Sequence, residues 1–157
     1  MLAAARTALA EAQAATEWPD ELRPSVVAIL CAGTALEAAT NWAAEAVPGW
    51  LDQPLPAPAH GTRNTLAPDR KWAAWIEHRT GTPVDMGQGL GQRIVSMIDA
   101  RNLIAHFRGV RGTDGKRALH LPPDAKHGNR SRVRTHFDPS RASEHVRTAE
   151  EAIATLG

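Results

Sequence analysis

An apolar stripe at helical period with an arginine in its middle is the strongest constraint in this chain. Residues 91–108 read GQRIVSMIDARNLIAHFR. At about 100° per residue, Leu90, Ile94, Met97, Ile98, Ile104 and Ala105 fall on one stripe, with Arg101 among them. A guanidinium on the core side of a helix is costly to desolvate unless a carboxylate meets it. The fold must therefore bring an acidic residue to this helix. His106 stands at its end, and Gly109 is placed to stop it in the left-handed conformation.

One other segment offers such a residue. Residues 24–47 form a long helical pattern, opened around Asp20 or residues 23–25 with Pro24 in its first turn and closed before Pro48-Gly49. Val26, Ile29, Leu30, Gly33, Leu36, Thr40, Ala44 and Val47 share a face, and Glu37 sits near its centre. Much of the opposite side is alanine, so this helix can be buried nearly all round. A bidentate pair between Glu37 and Arg101 would resolve both desolvation costs and fix the guanidinium in one orientation. The plain alternative is that such a pair serves architecture alone.

The rest of the chain fits around these two helices. Residues 2–17 are alanine-rich and predict a first helix. Five prolines between 48 and 68 exclude a long helix and predict an extended loop. A short helix from Asp69 spaces Trp72, Trp75 and Ile76 for a core and ends at Gly81 to Pro83. Residues 117–121 and 132–137 alternate weakly and could pair as a small hairpin. Asp138 caps a last helix with Pro139 in its first turn, burying Ala142, Val146, Ala149, Ile153 and Leu156. A chain of 157 residues is one domain in size. The expectation is an all-α bundle of four to five helices, with core helices at 24–47 and 90–107 and an irregular basic loop at 108–137 before the last helix.

Charge is divided along the chain. Residues 1–60 hold two arginines against seven carboxylates, a net of −5, whereas residues 108–137 hold eight cations against two, a net of +6. Arg108, Arg111, Lys116, Arg117, Arg130, Arg132 and Arg134 make the latter segment a candidate for the backbone of a polyanion such as RNA. It is poor in aromatics, which favours electrostatic positioning over base reading. The plain alternative is a solvated basic loop. The single cysteine, Cys31, excludes a disulfide framework and a cysteine-based zinc site. Arg6 and Glu11 interrupt the N-terminal run where a signal peptide needs an apolar core, so the expectation is a soluble cytoplasmic protein without membrane attachment.

His106 follows Arg101 by five residues, about 7.5 Å along an ideal helix and about 140° around it. The two do not share a face, so the spacing suits a site completed by a second copy across a symmetry axis. Histidine exchanges protons near neutral pH, and a fixed guanidinium stabilises charge on a phosphoryl group. Together they suffice for metal-independent RNA cleavage through the 2′-hydroxyl. A helix-end histidine that only meets the terminal carbonyls is the plain alternative. Arg130 and His136, six residues apart, fit the same loose pattern of an Arg, four to six residues and a His, but without a helix or an acidic partner candidate.

At these residues the chain resembles a known family. RNLIAH, residues 101–106, is similar to the signature of HEPN domains (higher eukaryotes and prokaryotes nucleotide-binding), with Arg, a polar residue, a short spacer and His at the end of a core helix. SVVAILCAGTALEAATNWAAE, residues 25–45, is similar to the long earlier helix of several bacterial members, and the resemblance spans roughly residues 22–108. It implies an all-α homodimer with a composite interface site and, commonly, metal- and cofactor-independent endoribonuclease activity in toxin–antitoxin or phage-defence systems. A cognate antitoxin protein is then a further partner. Carried over, Arg101 and His106 are catalytic, Asn102 is a supporting polar group and Glu37 is the orienting acid. The alternative within the family is a non-catalytic module binding RNA, a nucleotide or a partner protein. One departure stands out: toxins neutralised through a tyrosine two positions after the histidine have their counterpart here in Arg108, and the chain contains no tyrosine.

Overall fold

The computed structural model describes residues 1–17, 20–47, 67–105 and 137–157. Among them are five helices and no strand: α1 (Leu2–Ala14), α2 (Leu22–Ala46), α3 (Pro68–Thr80), α4 (Gly89–Ala105) and α5 (Pro139–Ala154). The all-α expectation therefore holds. The proposed hairpin at 117–121 and 132–137 falls, except for Phe137, outside the described residues, as do most of the proline-rich and basic segments.

α2 is the central element and packs against all four others, while α5 packs against α1, α2 and α4. The reason lies in its small residues. Ala28, Ala32, Ala35 and Ala43 are buried on α2, and Ala5, Ala8 and Ala12 are buried on α1. Methyl-sized side chains let neighbouring backbones approach closely, so α2 is covered on several sides rather than along one stripe. This corrects the expected face. Ile29, Gly33, Leu36 and Thr40 are buried as expected, but Val26, Leu30 and Ala44 are only half-buried and Val47 is exposed.

The core that α2 closes contains Ile94, Met97 and Ile98 from α4, Trp72 and Trp75 from α3, and Ala142, Val146, Ala149 and Ala152 from α5. Ile153 is half-buried, and Ala105, expected on the α4 stripe, is exposed because that stripe leaves the bundle at its C-terminal turn. Polar anchors fix the packing. The Trp72 indole Nε1 donates to the Ala152 carbonyl at 3.2 Å and to Thr155 Oγ1 at 2.9 Å, tying α3 to the end of α5. Lys71 Nζ donates to Asn41 Oδ1 at 2.6 Å, joining α3 to α2, and Arg6 pairs with Glu150 between α1 and α5.

The helix ends follow local chemistry. Asp138 accepts from the Arg141 backbone N–H at 2.8 Å with Pro139 in the first turn, as expected of an N-cap. Gly81 takes a φ of 68° and stops α3. α1 ends at Ala14, three residues short of expectation, because Ala15 is already extended where the chain begins its turn toward α2.

Candidate functional site at the crossing of α2 and α4

Close approach of the two helices positions the site. Gly33 and Glu37 lie one turn apart on α2 and face Arg101 of α4. A Cβ placed on Gly33 would lie 2.9 Å from Arg101 Cγ and 3.0 Å from its Cβ, tighter than ordinary carbon contacts. Gly33 is thus a notch that seats the arginine stem, and Glu37 holds the head one turn further on: Arg101 Nη2 donates to Glu37 Oε2 at 2.7 Å. Asn102 Oδ1 accepts from Arg101 Nη1 at 2.9 Å.

The pair expected from the two faces is formed, but its setting differs in two ways. It is not bidentate, because the guanidinium divides its terminal nitrogens between Glu37 and Asn102. Nor is it deeply buried: 23% of the Arg101 side chain and 37% of Glu37 remain exposed. The crossing lies near the C-terminal end of α4, where the stripe emerges from the core, so the guanidinium head sits at the edge. Two geometric consequences follow. At such exposure the ion pair contributes only about 1 kcal/mol to stability. A guanidinium has five N–H donors, so this one retains donors for an anion arriving from solvent.

The remaining predicted site residues are not brought to this place by any described geometry. His106, Arg108, Arg111, Lys116, Arg117, Arg130, Arg132 and Arg134 lie outside the described residues. Among the described residues no group of three or more His, Cys, Asp or Glu side chains is arranged to hold a metal ion.

A second feature is absent from the sequence reading. A groove of about 430 Å³ runs between α4 and α5, with Asp99, Leu103, Phe137, Arg141 and His145 among its lining residues. His145 is only 3% exposed. Burial lowers its pKa, opposed by the charge of Glu144 and aided by that of Arg141, so the ring is neutral at pH 7. Its Nδ1 is buried without a hydrogen-bond partner among the described residues. The signal for its burial was present: His145 falls between Ala142 and Ala149 at spacings of three and four on the stripe that α5 buries.

No family model, curated protein or solved structure matches this chain.

Proposed function

We propose that the protein is a metal-independent endoribonuclease of the HEPN type, acting as a cytoplasmic homodimer in a toxin or phage-defence role. The observation that carries this reading is Arg101. Its head is oriented by two acceptors, Glu37 and Asn102, yet stays open to solvent. A guanidinium fixed in one orientation with donors left over at the edge of the core is what binding a phosphoryl oxygen requires.

His106 removes the proton of an RNA 2′-hydroxyl, and the oxygen attacks the adjacent phosphorus. The bond from phosphorus to the 5′-oxygen breaks, that oxygen takes up a proton, and a 2′,3′-cyclic phosphate remains. A dimer holds two copies of His106, one for each proton transfer. Arg101 stabilises the charge that builds on the non-bridging oxygens. Glu37 and Asn102 act through Arg101 and are positioning residues. The cations at 108, 111, 116, 117, 130, 132 and 134 hold the RNA backbone electrostatically. A cognate antitoxin is the expected neutralising partner, by a route other than tyrosine modification.

The test is RNA cleavage in the presence of chelator, scored for 2′,3′-cyclic phosphate ends. His106→Ala should lower the rate by about 10²–10⁴-fold. Equal rates for wild type and variant, or dependence on added metal, would overturn the assignment. The competing reading is a non-catalytic module binding RNA or a partner, favoured by the tie that Arg101 and Glu37 make between α4 and α2. Under it, His106→Ala leaves RNA binding unchanged and no cleavage is seen in either protein.

A further inference from the structure

The groove between α4 and α5 is separate from the Arg101 site. Gln92, Ser96, Asp99 and Leu103 line it at spacings of four, three and four, on the side of α4 roughly opposite Arg101. Its volume, about 430 Å³, is that of a small-molecule site, for which roughly 300–1,000 Å³ is usual. The lining divides by chemistry. Leu103, 52% exposed, joins Val95, Ala100 and Phe137 as apolar surface. Asp99, Gln92 and Ser96 supply hydrogen-bonding groups along one rim, and Arg141 supplies a cation on the other.

Each component matches part of one kind of ligand. An apolar face formed by Leu103, Val95 and Ala100 suits a nucleobase, since aliphatic side chains accept any base face. The Asp99 carboxylate is an acceptor only, and it pairs with an exocyclic amine, which offers two N–H donors. Uracil offers a single ring N–H flanked by two carbonyl oxygens that repel a carboxylate. Among the described residues Arg141 pairs with Glu144, an exposed contact at 2.9 Å that is weak enough to be exchanged for a phosphate. His145, nine-tenths buried at the groove, is a polar ring that the protein leaves incompletely hydrogen-bonded. An apolar peptide side chain would use neither the carboxylate nor the guanidinium.

We propose that the α4/α5 groove is a nucleotide subsite that prefers bases bearing an exocyclic amine, with Asp99 reading the amine and Arg141 meeting the phosphate. It rests on the reading that the substrate is RNA, and it places one nucleotide of that RNA on α4 away from Arg101.

Mononucleotides test it without a cleavable internucleotide bond. The intact protein is titrated with adenosine 5′-monophosphate and with uridine 5′-monophosphate, and amide resonances of α4 and α5 are followed by NMR. Adenosine monophosphate should shift the groove resonances and bind about tenfold more tightly than uridine monophosphate. Asp99→Ala should erase that preference, and Leu103→Glu, at an exposed position, should set a carboxylate against the nucleotide and abolish binding while preserving the helical spectrum. No shift in the groove, equal affinity for the two nucleotides in wild type, or unchanged binding by Leu103→Glu overturns the subsite. Cleavage of RNA by a protein that binds no mononucleotide would overturn the subsite and leave the ribonuclease reading intact. Groove binding with the predicted preference in a protein that cleaves no RNA would uphold the subsite and overturn the ribonuclease.

Discussion

At the scale of single residues, Arg101 is defined by what holds it rather than by its own burial. Gly33 seats its stem, and Gly33→Ala would push a methyl to within 3.0 Å of two arginine carbons. The stem can give, so the fold should survive while the guanidinium is displaced from Glu37 and Asn102. The expected outcome is a fall in the cleavage rate constant of about tenfold with little change in RNA affinity, as a misplaced transition-state contact produces. An unchanged rate constant would show that the notch is not needed. His145 makes a separate prediction. Desolvation lowers its pKa in the fold, so the unfolded chain takes up the proton first; the stability from keeping it neutral is complete above about pH 6.5 and is lost as pH falls through the lower folded value. The charge of Glu144 opposes the lowering and that of Arg141 adds to it, while Asp99 lines the same groove. Melting temperature should therefore drop between pH 7.5 and 5 more steeply in wild type than in His145→Gln, and parallel slopes would contradict it. The pairing of Arg101 with Glu37 was legible in the sequence because each was the sole charge near the centre of an apolar face. Gly33 lay on the same face, but its use as a notch depends on which side chain crosses it, which no pattern in one helix reveals.

At the scale of elements, the five helices were legible from period and punctuation, and their ends moved by only a few residues. The buried side of α2 was legible only in part: Ile29, Gly33, Leu36 and Thr40 are buried as read, but the buried arc is turned toward Ala28, Ala32, Ala35 and Ala43 and away from Val26, Leu30 and Val47. Burial there is decided by how closely neighbours approach, and hydrophobicity per residue does not encode that. The groove between α4 and α5 was illegible for a similar reason, since it belongs to no single helix. α3 shows how an element is fixed by one side chain: Trp72 fills the core and its indole N–H reaches both Ala152 and Thr155. Trp72→Phe retains most of the apolar contact but leaves the Ala152 carbonyl without that donor. It should cost about 1–3 kcal/mol, read as a lower urea midpoint with an unchanged slope. A cost near zero would mean that the indole bonds contribute nothing to holding α3.

At the scale of the whole molecule, an acidic N-terminal third is joined to a strongly basic segment through a bundle centred on α2. α4 carries the Arg101 site on one side and the groove on the other. In the proposed ribonuclease the basic segment gathers RNA, Arg101 meets the reacting phosphate and the second copy completes the site. The most direct measurement is the RNA cleavage rate of Arg101→Ala against wild type in chelator, with the stability of both proteins measured alongside. The account predicts a rate lowered by about 10²–10³-fold with a stability loss of only about 1 kcal/mol, because the guanidinium works on substrate and does little for the fold. A variant that loses several kcal/mol of stability, or that cleaves RNA as fast as wild type, would contradict it.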